Sequence, residues 1–199
     1  SLERLIGTLD GTRMGGEVPI VEKAVRRAFD GAALPPSNHL EDLPAKLLPD
    51  FRGKYLEGLA QRAGPARLFT TTLPGRIYDA GLIAMAVPNV RFVLLKRNVD
   101  DMAWKIYLTK YLTGNSYAYS LKDIRGYLDW YHAMIDLTAE KLPELARVMS
   151  YEALIDDPGA ALRGVAELCG LDPHERPVLS IDHDRGCGAP YREFMARDS

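Results

Sequence analysis

"NVRFVLLKRNVDDMAWK", residues 89–105, passes within a few positions from an apolar run to a basic pair and then to two acids. Phe92 to Leu95 are apolar without interruption. A strand with one wet face alternates, whereas an unbroken short run is the pattern of a parallel strand covered on both faces. Lys96, Arg97 and Asn98 end the run, and Asp100 and Asp101 open a helical pattern that carries Lys105 about two turns in. In open parallel sheets, ligands sit beyond the carboxyl ends of the strands, so Arg97 falls where such a sheet places its crevice. The amides at the start of the following helix would also attract an anion. Arg97, with its planar fork, and Lys105, as a point charge, are therefore candidates for a phosphate clamp. The competing reading makes both solvated charges, with Arg97 paired to Asp100 or Asp101.

Outward from this stretch, strand and helix patterns alternate. "ARLFTTTLPGRI" (66–77) is a β-branched and aromatic run closed by Leu73-Pro74-Gly75, hence a strand and turn. "YDAGLIAMAVP" (78–88) reads as a helix, as do residues 100–112 and 120–142. "ELARVMSYEAL" (144–154) supplies a further strand, and "DPGAALRGVAELCGL" (157–171) a helix ending at Gly170. At the start, "SLERLIGTLDGTRMGG" (1–16) has helical spacing at Leu2, Leu5, Ile6 and Leu9 and stops at Gly15-Gly16. Residues 18–31 read as a helix with Pro19 in its first turn. Residues 32–44 are a loop, and residues 49–64 an amphipathic helix with Phe51, Tyr55 and Leu59 at four-residue spacing. The expectation is an α/β fold, with a parallel sheet of three to four strands flanked by helices. One domain would cover residues 1–199, with a helical subdomain at about 18–64.

Composition narrows the function classes. The net charge of −2 and pI near 6.1 give no global basic excess, so nucleic acid is not an expected partner. The longest apolar stretches fall far short of the roughly 20 residues that span a bilayer. No signal-peptide pattern opens the chain, and two cysteines suit a reducing compartment, so a cytoplasmic protein without membrane partners is expected. Cys169, His174, His183 and Cys187 match no compact zinc pattern, and no metal is expected. GxxxxGK[ST], paired-Cys and Ser-His-Asp signatures are absent, which argues against a conventional ATPase, a zinc ribbon and a lipase-like hydrolase. Tyr127, Trp130, Tyr131 and Met134 lie at helical spacing and are expected in the core.

"RNVDDMAWK" (97–105) resembles the segment with which sulfotransferases that use 3′-phosphoadenosine 5′-phosphosulfate (PAPS) hold the 3′-phosphate. Arg97, Asn98 and Asp101 match, and Lys105 stands where that family has a serine. "MSYEALIDDP" (149–158) resembles the family's "Y-E-x-L-x-x-D-P" and implies that Tyr151 approaches the adenosine. "LCGL" (168–171) matches the end of the next helix. "GNSYAYSLKDIRGYLDWYHAMI" (114–135) and "GGEVPIVEKAVR" (15–26) resemble the bacterial group often fused to tetratricopeptide repeats. The resemblance implies a P-loop NTPase-like sulfotransferase fold. Its phosphate loop runs into a helix opening "S/T-L-x-E", and this chain begins Ser1-Leu2-Glu3. That would make Ser1 the last residue of the loop, touching the 5′-phosphate, with the first strand and the loop upstream, the 199 residues a fragment, and room for an additional domain before it. An ordinary start at Ser1 is the other reading.

The implied reaction is sulfuryl transfer from PAPS to a hydroxyl or amine of a small-molecule or peptide acceptor. Glu17 resembles the base of the tyrosylprotein branch, and the glycines before it would let the backbone approach a ligand. It is equally placed to be a first-turn glutamate favoured by a helix dipole. Where the family carries histidine or lysine in "K-T-H-L-P" or "T-D-K-x-P", this chain has Thr72, which offers a hydrogen bond but no charge. The catalytic set is then either rebuilt around Glu17 or lost, leaving a binding or scaffold domain. Arg185 and Gly186, in "HDRGCGAPYREF" (183–194), lie in a glycine-bearing loop that resembles the C-terminal segment closing over the nucleotide.

Overall fold

The computed structural model describes residues 2–30, 42, 44–72, 74–172 and 185–197, and the chain divides into two compact units, Leu2–Arg91 and Phe92–Ser199. In the first unit, helix α1 (Leu2–Ile6) leads through a turn to strand β1 (Thr12–Met14). The stretch read as helix down to Gly15-Gly16 thus contains a strand. Gly11, at φ 74°, reverses the chain, and the Thr12 amide closes the turn on the Leu9 carbonyl at 3.1 Å. Leu9 is buried in that turn, so its helical spacing recorded burial rather than helix. β1 pairs in parallel with β2 (Leu68–Thr70), Thr12 opposite Leu68 and Met14 opposite Thr70.

Between them run α2 (Ile20–Phe29) and α3 (Leu47–Ala63), near their expected bounds. Pro19 stands just outside α2 rather than in its first turn. Ile20, Val21 and Ala24 of α2 and Leu47, Phe51 and Tyr55 of α3 form buried stripes at helical spacing. The helices approach closely because Gly58 faces Ile20, where an added Cβ would come within 3.2 Å of Ile20 Cγ2. After β2, a 3-10 turn (Pro74–Asp79) leads to α4 (Ala80–Ala86), which buries Leu82, Ile83 and Ala86.

The second unit begins with β3 (Phe92–Lys96), paired in parallel with β4 (Ala146–Ser150) from Phe92 opposite Ala146 to Lys96 opposite Ser150. The crossover between them holds α5 (Val99–Leu108) and α6 (Leu121–Lys141). Leu121, Ile124 and Leu128 of α6 bury against Ala103 of α5, with Val99, Met102, Trp104, Ile106, Tyr117 and Tyr127 around them. α7 (Tyr151–Asp156) follows β4 directly, so the second half of residues 144–154 is helix, begun where the Ser150 hydroxyl accepts from the Ala153 amide. Asp157 caps α8 (Pro158–Cys169), and Gly170 ends it at φ 64°. Residues 185–188 form a turn, followed by α9 (Arg192–Arg197).

The chain is therefore mixed α/β, with parallel pairing throughout. Its four strands form two separate pairs among the described residues, not one sheet of three to four. A two-stranded ribbon leaves β3 half-buried at every position instead of covered on both faces. Tyr127 packs on the core as expected, but Trp130 is 43% exposed. Among the described residues no helix is long and apolar enough to cross a membrane, and no His, Cys, Asp and Glu cluster could hold a metal. His174 and His183 lie outside the described residues. Leu128, fully buried between α5 and α6, is the sharpest test of this packing. Leu128→Ala is expected to destabilise the fold by about 2–5 kcal/mol, read as a lower urea midpoint, whereas Trp130→Ala is expected to shift it by well under half as much.

Candidate functional site

The pairing of Lys96 with Ser150 brings the next residue of each strand, Arg97 and Tyr151, side by side beyond the carboxyl ends of β3 and β4. The Arg97 guanidinium carbon lies 4.5 Å from the centroid of the buried Tyr151 ring. Its side chain is only 11% exposed, and a charge so placed needs compensation. Beyond the ring, one Arg97 nitrogen is 3.8 Å from Asp101 Oδ2 and donates to Cys187 Sγ at 3.8 Å.

The start of α5 is tied to the start of α7. Asn98 Oδ1 accepts from the Asp101 amide at 3.0 Å, and the Asn98 amide donates to Glu152 Oε1 at 2.9 Å. Ser150 Oγ donates to Glu152 Oε2 at 3.0 Å. Burial by itself raises the Glu152 carboxyl. The amides of Asn98 and Glu152, the Ser150 hydroxyl and the Arg97 charge outweigh it and hold the group below the ordinary carboxylate range.

Asp101, which the sequence marked as a match to the family segment and a partner for Arg97, is buried and accepts from two amides of the distant turn: Gly186 to Oδ2 at 2.6 Å and Gly188 to Oδ1 at 2.8 Å. Asp100 bridges Arg125 (3.0 Å) and Arg192 (3.1 Å), and Trp104 stacks on Tyr191 at 3.9 Å between centroids. Gly186 thus joins the neighbourhood of Arg97, with its amide directed to Asp101. Arg185 instead pairs with Asp156. Lys105 is exposed on α5, one turn beyond Asp101 on the same face. Ser1 lies outside the described residues.

Glu17 and Thr72 belong to the first unit. Past the ends of β1 and β2 the Gly15 amide donates to the Thr70 carbonyl (2.9 Å) and the Thr72 amide to the Gly16 carbonyl (3.0 Å). Thr72 is thereby held beside the backbone that carries Glu17, and both side chains are exposed at the carboxyl end of this strand pair. Glu3, not singled out from the sequence as a site residue, fixes this end: its Oε1 accepts from the Gly16 amide and the Thr70 hydroxyl, both at 2.8 Å. The first basic residue after Thr72 is Arg76, held by Asp79 at 2.6 Å and by the Tyr78 hydroxyl. Burial holds the Asp79 carboxyl above the ordinary carboxylate range, and the Arg76 charge and hydrogen bond offset this only in part.

The depressed Glu152 carboxyl sets a pH dependence. A carboxyl whose folded pKa lies below its unfolded value of about 4.3 adds stability that is full above that value and lost as pH falls through the folded pKa. Glu152→Gln is accordingly expected to be less stable than the parent at pH 7, with the gap closing below about pH 4.3 in parallel denaturation curves. A gap independent of pH would show that the carboxylate charge is not what matters.

The profile of the sulfotransferase family matches residues 17–175. A relative from Aquifex aeolicus (strain VF5), described as an uncharacterized protein, is 25% identical over 186 residues, covering 89% of this chain. The chain spans 24% of that relative's length, about a quarter. Among solved structures, a sulfotransferase from Alicyclobacillus acidocaldarius aligns at TM-score 0.51 and 17% identity, over 99% of this chain and 86% of that one, which shows a likeness of fold.

Proposed function

Because the chain belongs to the sulfotransferase family, we propose that it takes part in moving a sulfuryl group from PAPS to a hydroxyl or amine acceptor. The observation that carries this reading is Arg97, a nearly buried guanidinium lying over a tyrosine ring at the carboxyl ends of two parallel strands. An arginine supported by an aromatic ring at a strand end carries a planar fork of N–H donors, and bidentate recognition of phosphate is what that fork does best. The donor set fits a 3′-phosphorylated adenosine. Arg97 and Lys105 would hold the 3′-phosphate, and Tyr151 would lie near the adenosine. Gly186, through the turn bonded to Asp101, would border the site with Arg185, and Ser1 would face the 5′-phosphate. PAPS supplies the activated sulfuryl group on a phosphate leaving group.

For the remaining chemistry the chain offers Glu17. In this reading its carboxylate takes the proton from the acceptor hydroxyl or amine, a task suited to an exposed acid at the end of a parallel strand pair. Glu3 holds Gly16 and Thr70 in place, so the backbone before Glu17 is fixed while its side chain stays exposed. The acceptor is proposed to be a small molecule or peptide, and the protein cytoplasmic. Thr72 supports a second reading, a nucleotide-binding or scaffold domain without turnover, since it supplies neither base nor cation.

Arg97→Ala is expected to weaken adenosine 3′,5′-bisphosphate about 10- to 150-fold, the worth of a charge-assisted contact, while 5′-AMP changes little. Calorimetric titration of both ligands checks it, and equal losses would remove Arg97 from the phosphate site. Glu17→Gln is expected to lower kcat by about 100-fold or more with the bisphosphate Kd unchanged. Undiminished turnover would exclude Glu17 as the base, and no turnover in the parent would favour the scaffold reading.

A further inference from the structure

We infer that Asp101 is a positioning residue: its carboxylate fastens the turn at residues 185–188 beside Arg97 and so fixes the arginine's geometry. This inference rests on the reading of Arg97 as a phosphate ligand. Asp101 is 3% exposed, a burial at which an unsatisfied carboxylate would be expensive. Simple pairing with Arg97 does not account for how that cost is met. The Arg97–Asp101 separation is 3.8 Å, whereas charge-assisted bonds run near 2.7–2.9 Å. The short bonds go to the amides of Gly186 and Gly188, 2.6 and 2.8 Å away and 85 and 87 residues distant in sequence.

The turn is shaped to receive this carboxylate. Gly186 has φ 78°, a conformation that suits glycine. A Cβ at Gly188 would lie 2.5 Å from the Asp100 carbonyl oxygen and 2.9 Å from the Asp101 amide nitrogen, both backbone atoms that cannot swing aside. Between the two glycines, the Cys187 sulfur accepts from Arg97 at 3.8 Å and donates to the Asp101 carbonyl at 3.7 Å. One carboxylate therefore holds a turn whose central side chain rests on the guanidinium.

The test compares the full-length protein with Asp101→Asn, which puts an NH2 group against one of the two turn amides, and with Gly188→Ala, which displaces the turn while leaving Asp101 and Arg97 intact. Two quantities are read: the preference for adenosine 3′,5′-bisphosphate over 5′-AMP, and the rate at which iodoacetamide alkylates Cys187, with Cys169 on α8 as the internal reference. Both variants are expected to lose roughly tenfold of the preference, the worth of one misplaced charge-assisted contact, and to alkylate faster at Cys187. A merely structural role would lower thermal stability and leave the preference of the folded fraction intact, which overturns the inference. Unchanged Cys187 rates in both variants overturn it as well. Should Asp101→Asn fail to fold, Gly188→Ala decides alone. If the parent itself shows no 3′-phosphate preference, the proposed function fails separately, and the Cys187 rates then decide whether Asp101 holds the turn.

Discussion

A charge kept out of water has to be compensated where it stands, and Arg97 is that charge. The register of β3 and β4 sets its position, because Lys96 opposite Ser150 makes Arg97 and Tyr151 neighbours at the strand ends. Much of the unit follows from this juxtaposition. Tyr151 is both the ring under the guanidinium and the first residue of α7. Asn98 both caps α5 and donates to Glu152. Asp101 is near the arginine and also takes two amides of the distant turn. Shifting the pairing by one residue would carry Tyr151 away from Arg97 and break the link from Asn98 to Glu152.

Much of this frame was legible in the sequence. The apolar run before Lys96 as a strand, the helices expected over residues 18–31, 49–64 and 157–171, the Phe51 and Tyr55 stripe of α3 and the glycine that ends α8 each reflect a local rule that the fold obeys. Arg97 could be marked from its place after a strand, and Tyr151 from the resemblance of its segment. Other features had no local signature. β1 is three residues long, too short to show a period, and the buried Leu9 before it imitates a helix. The pairing of strands into two ribbons depends on long-range contacts that alternation cannot reveal. The bonds from Gly186 and Gly188 to Asp101 join residues more than eighty positions apart, and Arg185, beside them, turns to Asp156.

The first unit shows a related design with different chemistry. Its parallel pair also ends in residues suited to a ligand, here the acid Glu17 and the hydroxyl of Thr72, and a buttressing carboxylate, Glu3, holds the backbone behind them. Glu3 satisfies one amide and one hydroxyl at 2.8 Å, so it stiffens the strand ends. In both units the carboxylate that holds the backbone is distinct from the side chain proposed to meet the ligand. Such support is what keeps a site in a productive geometry.

The central claim is that the end of β3 recognises a 3′-phosphate. Its most direct test is calorimetric titration of the full-length protein with adenosine 3′,5′-bisphosphate and, separately, with 5′-AMP in the same buffer and salt. The expected result is a preference of at least about tenfold for the bisphosphate, as one charge-assisted phosphate contact provides. Equal affinities, or no binding of either ligand, would contradict the claim and leave Arg97 as a structural cation held by Tyr151 and Asp101.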